Sequence, residues 1–306
     1  MSVESLLKPS EARAARSSLP DPRFEDLLET NRYDEVVELA RGTLDSDDTA
    51  ALTRAVAHHY LGQALCHLVR PDEALDHLRR ARGLAEATGD PWLAAESLEW
   101  EASAVHAKDD MAAVAIGKEA LDRYRALEPR RPETEARMLE RLATFLVRRR
   151  AYDQAEHYYE LALEVAGPVR DLTRVARIYH GLSHCHWTRG DTRRGIDLAQ
   201  MAVSLYTVES QFRPFAAKIS LPRAENDLGT MLVRQGQLER AEDSLTSALN
   251  RFAASEEDPA RGQVLLSLAE LRVRQDRQVA VDTCALPAGG FAGDHLFETL
   301  LVHGGG

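Results

Sequence analysis

The chain has only three cysteines, Cys66, Cys185 and Cys284, too few and too scattered for a disulfide framework or a cysteine-based zinc site. Aromatic residues make up 6% of it, so large rings cannot dominate its core. It has no excess of basic residues. Against 38 lysines and arginines stand 49 acidic residues, a net charge of −11, and a surface of that sign does not favour phosphate backbones. No run approaches the ~18 consecutive apolar residues of a membrane span. The first twenty residues, MSVESLLKPSEARAARSSLP, hold no apolar core of a secretory signal. Glycine-rich phosphate loops, nucleophile elbows and paired catalytic carboxylates in context are also missing. These absences lead to the expectation of a cytoplasmic protein that is not an enzyme and carries no cofactor and no metal.

What is present is a repeated pair of amphipathic helices. In residues 222–253, Leu228, Gly229 and Leu232 share one helical face, and Gln235-Gly236-Gln237 interrupts the pattern where glycine can end a helix. Ala241, Leu245 and Ala248 then recur at i, i+4, i+7. Gly229 and Ala241 lie twelve apart and mark where the two helices approach. The same offset of twelve recurs from Gly62 to Ala74, Ala143 to Ala155 and Ser183 to Gly195. A looser copy runs from Glu101 to Ala113, with Trp100 in the place of a leucine. One such hairpin cannot bury both its faces, so the copies are expected to stack.

This pattern resembles the tetratricopeptide repeat, with small residues at position 8 of the first helix, helix A, and positions 20 and 27 over the second, helix B. The resemblance covers roughly residues 24–282. It implies an all-α, right-handed superhelical solenoid of about six or seven antiparallel hairpins, spanning residues 21–282 between a loose arm at 1–20 and a glycine-rich tail at 283–306. The position-20 residues Ala74, Ala113, Ala155, Gly195 and Ala241 are 39, 42, 40 and 46 apart, longer than the family's ~34. Long repeats of this sort resemble those of bacterial regulators and peptide-pheromone receptors. Residues 206–221 account for the longest step, as an enlarged loop or a helix extension. Proline is expected to open helices at Pro91, Pro222 and Pro259. The last helix A is expected to end near Gln275. In the tail, GFAGDHLFETLLV resembles a short segment of pyridoxal-phosphate aminotransferases and lyases, but the chain leaves no room for that fold.

Helix A positions 2, 5, 9 and 12 line one face by the i, i+3, i+7 rule. They supply His59 and Gln63; Arg137, Glu140 and Thr144; Arg177, His180, His184 and Trp187; Arg223, Asn226 and Thr230; and Gln263 and Glu270. Arginines along the inner face of an acidic protein suggest an extended protein or peptide ligand that is acidic or carries a free carboxylate. The bland alternative is the solvated side of each helix. Asn226 matches an asparagine to which the resemblance assigns the holding of a peptide backbone. The cluster His180, His184, Cys185 and His186 could place two imidazoles on a metal, but packing or groove-lining histidines fit it better, and no third group supports a Cys–His catalytic pair. The arginines near helix A ends, Arg148-Arg149-Arg150, Arg234 and Arg274, suit the helix dipole. The expected function is a cytoplasmic bacterial regulator or adaptor that binds a protein segment, without direct nucleic-acid or membrane contact. The alternative is a scaffold that self-associates as a homo-oligomer without a groove ligand.

Overall fold

The computed structural model describes residues 22–46, 48–166, 171–212, 219–252 and 259–285, with side chains to residue 278. The expected arm and tail lie outside these, apart from the stretch of the tail that is helical. Among the described residues there are thirteen helices and no strand: α1 (Arg23–Glu29), α2 (Tyr33–Leu44), α3 (Ala51–His67), α4 (Pro71–Thr88), α5 (Pro91–His106), α6 (Asp110–Ala126), α7 (Pro132–Arg148), α8 (Tyr152–Ala166), α9 (Leu172–Thr188), α10 (Thr192–Phe212), α11 (Ser220–Arg234), α12 (Leu238–Phe252) and α13 (Pro259–Ala285). Each packs on the next. The odd-numbered helices from α3 to α13 also touch one another in succession, which is the stacking of an all-α solenoid of antiparallel hairpins.

The small residues sit where the helices cross. Ala74, Ala113, Ala143, Ala155, Ser183 and Ala241 are completely buried. A Cβ on Gly229 would fall 2.6 Å from the Leu245 side chain, and one on Gly62 would fall 2.5 Å from that of Leu78. Contact that close leaves space for hydrogen only, and this fixes the register of each hairpin.

Four of the A-to-B turns, though not that between α5 and α6, share one geometry. The bonds Arg70 N–H to Leu65 O, Ala151 to Leu146, Asp191 to His186 and Gln237 to Leu232, all 2.9–3.0 Å, close the same six-residue loop past each helix end. The residue before each of these donors is left-handed: Val69 (φ 59°), Arg150 (φ 59°), Gly190 (φ 92°) and Gly236 (φ 75°). Two of the four are therefore not glycine.

Helix starts follow two rules. Asp90, Asp109 and Asp171 accept hydrogen bonds from backbone N–H groups of the first turn. Pro71, Pro91 and Pro132 open α4, α5 and α7. Pro222 departs from expectation: α11 begins at Ser220, so the proline is its third residue. The long step near residue 206 is partly helix extension, since α10 continues to Phe212. The closing helix also runs ten residues past Gln275, to Ala285. It buries Val264 and Leu271 but exposes Leu265, Leu266 and Val273.

Candidate peptide-binding face

The face expected to be lined with unengaged arginines is instead cross-linked by carboxylates. Glu99, on α5, is fully buried. Arg137 of α7 donates to both its oxygens at 2.7 and 2.8 Å, Arg141 reaches it at 2.8 Å, and the Tyr124 hydroxyl of α6 donates at 2.6 Å. Burial alone would push the Glu99 carboxyl up. The two guanidinium charges outweigh it and hold it down at about 2. Arg141 also lies over the Trp100 ring at 4.1 Å and donates to Ser103.

The next step up the array repeats the device. Glu140 on α7 accepts from Arg174 at 3.0 Å and from Arg177 at 2.8 and 3.0 Å, both on α9. Burial lowers the Arg174 pKa, whereas Glu140 more than compensates at Arg177. One step further, His180 Nε2 on α9 meets Asp227 Oδ2 on α11 at 2.8 Å. Thr230 on α11 then meets Ser267 on α13 at 3.2 Å. At the other end His59 is buried against Ser97, 3.1 Å away. Thr144 bonds back to the Glu140 carbonyl at 3.0 Å and stands 3.3 Å from the Tyr159 hydroxyl.

Arg137, Glu140 and Arg177 are thus committed to one another's helices. The charge of these arginines, expected to meet an acidic ligand, is taken up by Glu99 and Glu140 in this structure. Sequence reasoning missed the partners Glu99, Arg141, Arg174 and Asp227. The offsets of 37 and 38 residues between Glu140 and Arg177 and between Glu99 and Arg137 were the available signal.

Two of the expected residues remain unspent. Arg223 is exposed and has no side-chain partner among the described residues. Asn226 is buried, and its amide reaches Asp227 Oδ1 only at 3.4 Å. Its own Oδ1 is shielded from water with no donor. A buried acceptor left unmatched costs about 1–3 kcal/mol. Gln63 is half-buried, His184 exposed and Trp187 half-buried, the last packed beside Ile196 and Leu228. Burial lowers the His184 pKa, partly opposed by Asp227.

The neighbouring Cys185 is buried, and its thiol is pushed up to about 12, away from the thiolate a nucleophile needs. His186 faces Glu156 and Asp191 at 3.1 and 3.3 Å, away from His180. Among the described residues no three His, Cys, Asp or Glu side chains converge as a metal would require. None of the helices described is long and apolar enough to cross a membrane.

Residues 134–207 match the tetratricopeptide-repeat family. That stretch carries the family's sequence signature, and the whole array has a tetratricopeptide-repeat-like fold. No curated protein matches the chain in sequence. Among solved structures, the array is similar to a signal-transduction ATPase with a tetratricopeptide-repeat sensor from Pyrococcus horikoshii, with a TM-score of 0.63 and 14% identity over 80% of this chain. The alignment spans 36% of that protein, little more than a third of its length. It is similar to aspartyl phosphate phosphatase F from Bacillus subtilis, with a TM-score of 0.58 and 14% identity over 76% of this chain and 58% of that one. It is also similar to PlcR of Bacillus thuringiensis, solved in complex with the peptide PapR7 and DNA. There the TM-score is 0.54 and the identity 12%, over 69% of this chain and 76% of that one. At these identities the likeness is one of fold. Repeats of this type are generally interaction modules.

Proposed function

We propose that this tetratricopeptide-repeat array is a cytoplasmic regulatory or adaptor module that binds an extended protein segment on its inner face, at the α9–α11 step. The observation that carries this reading is Asn226, whose buried Oδ1 lacks a donor beside the unpartnered Arg223. A main-chain N–H of a bound segment would supply that donor. Arg223 would take a carboxylate, and Trp187 with His184 would form the wall. The arginines further down the array are already neutralised by Glu99 and Glu140, so the segment needs one well-placed negative group rather than an acidic run. The solved relative with a bound peptide supports the reading by analogy of fold alone.

The test begins with affinity capture and sequencing of the bound segment, followed by calorimetry with a synthetic copy at two salt concentrations. Asn226→Ala should weaken binding by about 1–3 kcal/mol while sparing the fold. Arg223→Ala should lower both affinity and its salt dependence. Parental binding by both variants would remove the inner face from consideration.

A self-associating scaffold is the second reading, favoured by Leu265, Leu266 and Val273 exposed along α13. Light scattering across a concentration series decides it. A concentration-dependent dimer abolished by Leu266→Lys would establish the scaffold, and a monomer throughout would dismiss it.

A further inference from the structure

The first complete hairpin holds a group of cations that the ionic ladder does not use. His58 on α3 and His77 on α4 bring their Nδ1 atoms to 2.9 Å, with the rings stacked at 5.1 Å. Arg54 lies one turn before His58 on α3, and Arg80 three residues after His77 on α4, and the charges of both bear on His58 where the two helices meet. Arg41, in the last turn of α2, adds a third positive charge that bears on His77. Among the described residues none of the three arginines has a carboxylate within 4 Å. Two acidic groups stand nearby on α4: Glu73, which Arg70 holds at 2.6 Å, and the exposed Asp76.

The equivalent crevice of the last hairpin is filled from within. Glu225 stands four residues before Gly229, as His58 stands four before Gly62. Its buried carboxylate accepts from Ser247 at 2.8 Å and Arg251 at 3.0 Å, and its carbonyl accepts from Ser244 at 2.8 Å. One place in the repeat therefore holds a built-in anion with its cation at one end of the array, and at the other a histidine pair among three arginines with Glu73 and Asp76 at its edge, in a protein of net charge −11.

We propose that the α2–α3–α4 crevice is an oxyanion site for a dianion of the sulfate or phosphate class, with Arg54 and Arg80 supplying charge, Arg41 adding a third positive charge and the His58–His77 pair supplying N–H donors. In the unliganded protein one neutral imidazole donates to the other, and an additional proton that would make the pair cationic is opposed by three guanidinium groups. A dianion reverses the sign of that field. Binding then takes up a proton onto the pair and frees both rings to donate outward.

The experiment is an NMR titration of the full chain with sodium sulfate, exchanged against chloride at constant ionic strength and read at the His58 and His77 ring protons. Sulfate stays dianionic, so any pH dependence belongs to the protein. Saturable shifts toward the imidazolium position are expected, with affinity rising by up to about tenfold per pH unit as pH falls. Arg80→Gln, at an exposed position that spares the fold, should weaken sulfate about tenfold or more. Inorganic phosphate and phosphoserine then identify the source. Binding of phosphate alone assigns a bare anion, and binding of both assigns an esterified phosphate. Absent or non-saturating shifts, or unchanged binding by Arg80→Gln, would overturn the site.

Discussion

Glu99 on α5 and Arg137 on α7, 38 residues apart, meet through two hydrogen bonds of 2.7 and 2.8 Å in the interior of the array. The pair joins consecutive repeats, so it fixes how one hairpin is rotated on the next. Its carboxylate is completely buried and also serves Arg141 and Tyr124. Glu99→Ala would leave two largely buried guanidinium groups without their counter-charge. A loss of about 3–5 kcal/mol in urea unfolding is expected, since removing one partner of a buried pair strands the other. A cost under about 1 kcal/mol would mean that water reaches the arginines and that the ladder is an exposed network.

Val69 sits at φ 59° in the turn between α3 and α4 and is 83% exposed. A β-branched side chain in this region is strained, while its exposure means that almost no packing is lost on removal. Val69→Gly should therefore stabilise the protein by about 0.5–1 kcal/mol despite the entropy glycine adds to the unfolded chain. A chemical-denaturation midpoint at or below the parent's would show that the turn relaxes around valine.

Hairpin contacts were legible in the sequence because they are local. Gly229 and Ala241 are twelve residues apart on two helices joined by one tight turn, so steric need alone selects small side chains. The ladder was not legible to the same degree. Whether Arg177 faces solvent or Glu140 depends on the rotation between repeats, and that rotation is set by many weak contacts at once. Glu99 also lies at helix A position 6, off the four positions that define the inner face. Val69 and Arg150 gave no glycine signal for their turns, whereas Gly236 did. Asn226 was found from its residue type and position, but its missing donor is a fact of the packed structure.

The register can be tested by adding volume. Ala155 and Ala241 are fully buried at the crossings of α7 with α8 and of α11 with α12. Ala155→Leu and Ala241→Leu each force side chains apart, the second where Gly229 already leaves no space for a methyl group against Leu245. A cost of about 1–3 kcal/mol each is expected from overpacking. The two sites are far apart along the stack, so the double variant should show the sum of the single effects. Parental urea midpoints for both single variants would refute this register.

Acid should unfold the protein in two stages with opposite kinds of group. Burial, then the charges of His77, Arg80 and Arg54, hold His58 at about 4 instead of 6.5. The folded pKa lies below the unfolded one, so the unfolded chain takes the proton first. That stability is complete above pH 6.5 and drains away as pH falls toward about 4. Burial depresses His67, His77, His106 and His184 in the same direction, and they add to this upper window. Glu99 acts lower down. Held at about 2 against 4.5, it contributes stability above pH 4.5 that disappears as pH falls toward 2. His58→Gln keeps a polar side chain beside His77 but removes one titrating group. Urea midpoints of this variant should fall less steeply than the parent's between about pH 6.5 and pH 4, with the same decline well below pH 4. Sulfate, by drawing a proton onto the pair in the folded state, should flatten the parent's upper window and leave the variant's nearly unchanged. Identical slopes for parent and variant would show that folding leaves the proton affinity of His58 unchanged.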